Sequence, residues 1–455
     1  MSTPLPGGLP TPDGAAKVFV YGYPLVYDLD EVAGFVAGGG ALPVSGPYNR
    51  FVAARDLLGP ETHFVSPNND TLYLMAMCDV RGGPLRLEVP DTDGRYYVLQ
   101  FIDAWTNNFA YVGRRATGTG AGTFVLAAAG WAGELPDDAT LITAPTGIFT
   151  IAGRVQVDGA SDLAAVHALQ DRFVLEPFEG AAGTAPAGVP PVDPAVGEEL
   201  VWWEKFRTRL AAFPSPPDDA PFVDAAAELG LLTDPSPYVD PPAELRDLLV
   251  DAEAKGRELI EALASGGSRP KGEWQAATHY FDYNLDFFEI GAVDDPAWKI
   301  PDRTTAYATR AVAARAGLWG NNGYEADYRL TAVDADGQPL TGEHAYALHL
   351  DVPPPVDAFW SLTMYASPDY YLVDNPIDRY SIGDRTEGLV TDGDGSITIW
   401  MQATAPGGGR DANWLPTPPG PFRPILRLYQ PRPEVLDGRW SLPPIQRLPE
   451  TDGQG

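Results

Sequence analysis

The chain has 455 residues, 44% of them hydrophobic, which is enough for more than one core of ordinary size. Acidic residues outnumber basic ones 62 to 31, and the net charge of -31 repels phosphate backbones and anionic lipid, so nucleic acid and membrane surfaces are not expected partners. A single cysteine, Cys78, excludes an internal disulfide framework and a multi-cysteine zinc site, and its place in the run LMAMC marks it as core.

Residues 1–14 are rich in Pro and Gly and read as an arm. They lack the basic start and apolar run of a signal peptide, and no stretch has the length of a membrane span, so a soluble cytoplasmic protein is expected. Over residues 15–36 apolar side chains recur at helical spacing (Val18, Tyr21, Val26), predicting a helix interrupted at Pro24 and ended by Gly38, Gly39 and Gly40.

Beyond Pro67 the period becomes two. Leu85, Leu87 and Val89 alternate with Arg86 and Glu88, as in a strand with one wet face. Residues 96–102 are apolar on both faces apart from Gln100, which predicts a central strand. Runs at 123–128 and 148–152 complete a strand-rich domain over residues 1–160, and short strands without regular crossover helices argue for a sandwich. Residues 161–320 read as a helical connector. Leu163, Val166, Leu169 and Phe173 form one face; Leu200, Trp203, Leu210 and Phe213 a second; Leu245, Leu248, Leu249, Leu259, Ile260 and Leu263 a third.

Strands resume at Tyr328, and residues 321–455 read as a second sandwich that echoes the first. Tyr96, Tyr97 and Val98 align with Phe359, Trp360 and Ser361, and Gly113 and Arg115 align with Gly383 and Arg385. The expected fold is therefore α+β, mainly β, with two jelly-roll-like sandwiches joined by a helical connector.

The blocks PNNDTLY, GRYYVLQFIDAWTNNFAYVG and PTGIFTIAGR resemble one domain of unknown function, that numbered 1254. DAFWSLTMY, NPIDRYSIG, DGSITIW, NWLPTPPGPFRPILRLYQP and DGRWSLPPI resemble its usual companion, numbered 1214. The resemblance implies an N-terminal and a C-terminal β-sandwich with helices between them, and no general activity. Many relatives look exported, and this chain departs from them in lacking a leader. Ala366 stands where the family more often carries an acidic residue after the tyrosine.

Two carboxylates are candidates for acid/base chemistry. Asp70 follows Asn68 and Asn69 at the mouth of an apolar run, where Pro-Asn-Asn-Asp is equally good turn chemistry. Asp103 ends an apolar strand beside Trp105, where desolvation can raise a carboxyl pKa, and where a buried structural acceptor fits as well. Arg115 and Arg385 suit bidentate contact with an anionic or hydroxylated ligand, or ion pairs with the chain's own carboxylates. Five histidines show no paired metal spacing, and no GxSxG, GxGxxG or Walker sequence is present.

These residues support a metal-independent, cofactor-free enzyme, a hydrolase or lyase acting on a small polar or glycan-like substrate. Asp70 and Asp103 would be its acid/base pair. Asn68, Asn69, Asn107 and Asn108 would hold substrate hydroxyls, and Trp105 with Tyr73 would form a wall. The alternatives are a non-catalytic ligand-binding or assembly protein, and a cyclase or isomerase with an aromatic pocket. Exposed sheet edges and the N-terminal arm predict a homo-oligomer.

Overall fold

The expected N-terminal helix forms as α1 (Pro12–Ala37) and runs through Pro24 without interruption. Thr11 Oγ1 caps its start, accepting from Gly14 N at 3.1 Å, and Gly38 ends it with φ 83°. Losing one backbone hydrogen bond at Pro24 costs about 3 kcal/mol. Burial of Phe19, Leu25, Leu29 and Val32 contributes roughly 1.5–3 kcal/mol per side chain, so packing overrides the break. The computed structural model describes residues 11–39, 44–61, 66–179, 184–264 and 272–449, so most of the expected arm lies outside the described residues.

Nine strands follow: β1 (Val52–Ala53), β2 (Thr71–Asp79), β3 (Leu85–Val89), β4 (Tyr97–Asp103), β5 (Asn108–Gly113), β6 (Gly122–Ala128), β7 (Ala139–Ala144), β8 (Ile148–Gln156) and, after α2 (Leu163–Gln170), β9 (Val174–Pro177). They build a five-stranded sheet in the order β1-β2-β8-β4-β5 and a four-stranded sheet in the order β7-β6-β3-β9. Alternate residues of both sheets, among them Leu74, Leu87, Leu99, Leu126 and Ile151, share one core, so this half is a sandwich.

Helices α3 (Val201–Ala212), α4 (Ala220–Glu228) and α5 (Ala243–Ala264) come next. Then follow β10 (Gln275–Ala276), α6 (Arg303–Gly317), β11 (Ala326–Leu330), β12 (Tyr346–Leu350), β13 (Val356–Ala366), β14 (Ser381–Gly383), β15 (Ile397–Gln402), β16 (Trp414–Pro416), β17 (Phe422–Pro431), α7 (Pro433–Leu436) and β18 (Gln446–Arg447). Adding nine to each strand label of the first half reproduces both sheet orders of the second, including the one parallel pair. The register repeats as well. Tyr73, Arg154, Val98 and Gly113 form one row across the first five-stranded sheet, and Tyr328, Arg427, Ser361 and Gly383 form the same row in the second.

Among the described residues helix and strand each make up about a quarter, 26% and 25%. The helices form a layer rather than a string of spacers. α1, which the sequence reading grouped with the first sandwich, shares a core with α3, α5 and α6, and that core also takes Met75, Met77, Ile102 and Trp105 from the first five-stranded sheet and its β4–β5 loop. α2 packs instead into the first sandwich through Val166 and Leu169. On α5, Leu259 and Leu263 point outward while Leu245, Leu249 and Ile260 are buried. The two halves meet through Tyr96, Val98, Phe359 and Tyr429, and the equivalent residues Tyr96 and Phe359 stack edge to face with ring centres 5.4 Å apart.

Candidate functional site at the seam between the halves

The Pro-Asn-Asn-Asp segment is a turn that also serves as a joint. Asn68 Oδ1 accepts from the backbone of Asp70 (2.6 Å) and Thr71 (3.1 Å), the local bonding expected of an Asx turn. Asn69 is spent on the Leu58 carbonyl at 2.6 Å. Asp70 is buried, and its Oδ2 accepts from Ser361 Oγ at 2.6 Å and Tyr429 OH at 3.0 Å, both in the other half. Burial, and then the Asp70 charge, push the Tyr429 hydroxyl well above the usual phenol range, so it stays a donor.

Asp103 organises the loop between β4 and β5. Its Oδ1 accepts from the backbone N–H of Trp105 and Asn107, both at 2.9 Å, and its Oδ2 from Asn107 Nδ2 at 3.0 Å. Burial pushes its carboxyl up to about 6 against the pull of those hydrogen bonds. Trp105 turns into the helical layer, where its indole N–H donates to the Phe213 carbonyl at 2.9 Å. Asn108 bonds Gln100, Gly320 and Asn322.

The structure does not bring Asp70 and Asp103 together. Asp103 is level with Phe149 and Cys78, whereas Asp70 precedes Thr71 at the other end of the same strands. Eight residues at about 3.3 Å each separate them by roughly 25 Å, too far for one acid/base pair. Tyr73 and Trp105 are likewise at different ends of the sheet and form no common wall. Arg115 and Arg385 both cross the interface. Arg115 Nε pairs with Glu325 at 2.5 Å, and Arg385 Nη2 stands 3.8 Å from Asp70 Oδ1 while Nη1 donates to the Val157 carbonyl at 2.6 Å. Glu325 and Asp70 occupy the same position, two residues ahead of their respective register rows' first strand partners Asp327 and Leu72.

What gathers around Tyr328 and Tyr429 instead is a pair of arginines, of which Arg427 also feels the Asp70 charge. Arg154 and Arg427 are buried and make no ion pair with any described residue. Arg154 donates to Gln100 Oε1 at 2.9 Å and to the Trp319 carbonyl at 3.0 Å; Arg427 donates to Thr363 Oγ1 at 3.1 Å and to the Ser66 carbonyl at 2.9 Å. Beside them stand Tyr73 and Tyr328, both only part-buried, and Arg154 lies 5.6 Å from the Tyr73 ring centre. Their hydroxyls bond no described residue. Tyr73 and Tyr328 both border the helical core and a small cluster of Leu58, Tyr365, Leu372 and Ile425, so they mark the seam where three layers meet.

Two family profiles match the chain: Protein of unknown function (DUF1254) over residues 48–177 and Protein of unknown function (DUF1214) over residues 325–433. The chain belongs to this paired family. A crystal structure of the VPA0106 protein from Vibrio parahaemolyticus is similar at 26% identity and a TM-score of 0.71, covering 96% of this chain and 100% of that one. A putative uncharacterized protein from Burkholderia cenocepacia aligns at 13% identity and a TM-score of 0.45, over 94% of this chain and 88% of that one. No curated protein matches.

Within this DUF1254–DUF1214 chain, the sequence reading found Asp70, Asn68, Asn69, Tyr73 and Arg385 around the seam but missed Arg154, Arg427 and Tyr328. A weak signal for them was present: an arginine stands between apolar neighbours in GRV at 153–155 and in LRL at 426–428, and the sheet registers, not the echo, make the two equivalent. Among the described residues no group of three or more His, Cys, Asp or Glu is arranged to hold a metal ion, and His63 lies outside them. Among the same residues no helix is long and apolar enough to cross a membrane. A depression of about 430 Å³ bounded by Pro190, Arg207, Leu231 and Asp234 lies on the helical layer, where Arg207 is already paired with Glu204 at 2.8 Å.

Proposed function

We propose that the chain is a binding protein for a small organic anion with a flat or apolar body, held in the seam with its charge toward Arg154 and Arg427 and its body against Tyr73 and Tyr328. The observation that carries this reading is the pair of buried guanidiniums, at equivalent register positions, with Tyr328 and Tyr429 as neighbours of both. A chain of net charge -31 concentrates positive charge in this seam, which attracts an anion against the field of the remaining surface. Tyrosine rings with unbonded hydroxyls supply stacking area and hydrogen-bond capacity beside that charge. The reading needs no cofactor.

An enzymatic version of the same site would use Asp70, whose Oδ2 accepts from Ser361 Oγ at 2.6 Å, as the carboxylate for proton transfer in a hydrolase or lyase reaction. Calorimetric titration with small aromatic carboxylates and the matching amides tests the binding reading. Carboxylates should bind, amides should not, and Arg154→Met or Arg427→Met should abolish the difference; equal binding of acid and amide, or full binding by both variants, overturns it.

A further inference from the structure

The helical layer holds buried guanidiniums of its own, and one of them is unbonded along a whole edge. Arg310 on α6 is 2% exposed, and its Nε and Nη2 have no hydrogen-bond partner among the described residues. Those two nitrogens lie on the same edge of the guanidinium, the side-on fork whose parallel N–H groups match the two oxygens of a carboxylate. The flat faces are occupied: Arg310 Cζ is 4.1 Å from the Tyr307 ring centre, 5.2 Å from that of Trp105 and 5.8 Å from that of Tyr21. Packing therefore fixes the plane of the group and leaves its donating edge free.

The carboxylates nearby are committed elsewhere. Asp103 accepts from Trp105 and Asn107, and Asp219 accepts from Tyr21, Tyr307 and Arg303, so neither caps Arg310. Thr106, in the β4–β5 loop beside Trp105, turns a buried hydroxyl toward that of Tyr283 and has no other partner among the described residues. The buried Tyr283 hydroxyl faces both Thr106 and Arg310. A buried guanidinium edge left unbonded is a large standing penalty, which an occupant with two acceptor oxygens removes.

We propose that Arg310 anchors a second binding site, enclosed between α6, α1 and the β4–β5 loop, that takes the carboxylate of a small organic acid side-on, with Thr106 and Tyr283 completing its hydrogen bonds and the Trp105 ring packing on its carbon end. A carboxylate fits better than a phosphate, because Asp103 already places a carboxyl group beside Arg310 and a second negative charge on the ligand would be opposed by it. This site is separate from the seam: Arg154 and Arg427 take no part in it.

The test uses the intact protein with acetate, the smallest stable probe carrying a methyl group, and acetamide as the uncharged control. In ¹⁵N-labelled protein the Arg310 Nε–H resonance, assigned by its disappearance in Arg310→Lys, should move saturably with acetate and stay in place with acetamide. Acetate should also raise the melting temperature of the wild type and of Arg154→Met but not of Arg310→Lys, and Thr106→Val should weaken acetate binding by about tenfold. The Thr106 variant keeps the buried charge balance and covers the case in which Arg310→Lys fails to fold. A resonance that acetate leaves unmoved means that water alone fills the gap and overturns the proposal. So does unaltered acetate binding in both the Arg310→Lys and Thr106→Val proteins. Loss of acetate stabilisation in Arg154→Met alone would assign the anion to the seam and overturn it too.

Discussion

Arg154 and Arg427 stand at the same position of two sheets with the same strand order, each between a tyrosine on one neighbouring strand and a residue that faces a glycine on the next. Each donates to the polar side chain two residues beyond its partner on the central neighbour, Gln100 in one half and Thr363 in the other. Their side chains therefore converge on the seam because the register repeats.

That repetition predicts matched backbone sensitivity at the ends of the two rows. A Cβ added at Gly113 would lie 2.4 Å from the Tyr97 carbonyl oxygen, and one added at Gly383 would lie 2.1 Å from the Trp360 carbonyl oxygen. Neither obstacle is a side chain that can turn away. Gly113→Ala and Gly383→Ala should each lower stability by roughly 1–3 kcal/mol, and by similar amounts, in urea unfolding. A neutral result at one glycine beside a costly one at the other would show that the two edges are not packed alike.

The crossed ion pairs give a second prediction. Arg115 reaches Glu325, whose side chain is 1% exposed and also accepts from Tyr96 OH at 3.0 Å. Removing one member strands a buried charge, so Arg115→Gln or Glu325→Gln alone should cost about 3 kcal/mol or more. The double variant should cost clearly less than the sum, with a coupling of at least about 1 kcal/mol in a denaturation cycle. Additive losses would mean that the stacking of Arg115 on Tyr324, not the charge, holds the halves together.

Asp70 joins the halves differently and yields a third test. Its Oδ2 receives two hydroxyl donors from the second half, so Asp70→Asn must turn an amide nitrogen away from them or leave a donor unpaired. The expected loss is about 1–3 kcal/mol. Ser361→Ala removes one donor and should relieve part of that loss when combined with Asp70→Asn. If Asp70→Asn melts like the wild type yet abolishes turnover of an identified substrate, the carboxylate is catalytic rather than a joint.

The strand periods, the sandwich class and the internal echo could be read in the sequence, because period-two alternation and repeated strand registers are local patterns. The path of α1 could not: whether a proline breaks a helix depends on how much apolar surface surrounds it, and that surface comes from α3, α5 and α6. The site was half legible for a related reason. Asp70 and Asp103 each sit in turn chemistry that a sequence displays, but the roughly 25 Å between them follows from antiparallel register, which puts opposite ends of adjacent hydrophobic runs side by side. Arg310 was silent because a lone arginine in a helix has a solvated face as its ordinary reading.

The last prediction concerns Asp103 and pH. Its carboxyl titrates at about 6 in the folded protein against an ordinary value of 3.8, mainly because it is fully buried. A carboxyl whose folded value is raised stabilises the fold fully below the unfolded value and loses that contribution as pH rises through about 6. The difference is worth roughly 3 kcal/mol once the group is ionised. Asp103→Asn cannot ionise, keeps an oxygen for the N–H groups of Trp105 and Asn107, and needs only a reversal of the Asn107 amide to satisfy its nitrogen. The melting temperature of Asp103→Asn relative to wild type should therefore become more favourable between about pH 4 and about pH 8. Asp103→Ala strands two buried N–H groups and should be destabilised by about 1–3 kcal/mol or more at both. Arg310 acts on Asp103 from the helices and opposes the rise, and Asp28, whose own carboxyl is raised in part by the Asp103 charge, titrates more easily in both variants, so the Asn and Ala proteins share that change and differ from each other only at position 103. A pH-independent difference between Asp103→Asn and the wild type would show that Asp103 holds its charge at no cost, and would return its role to the hydrogen bonds of the loop alone.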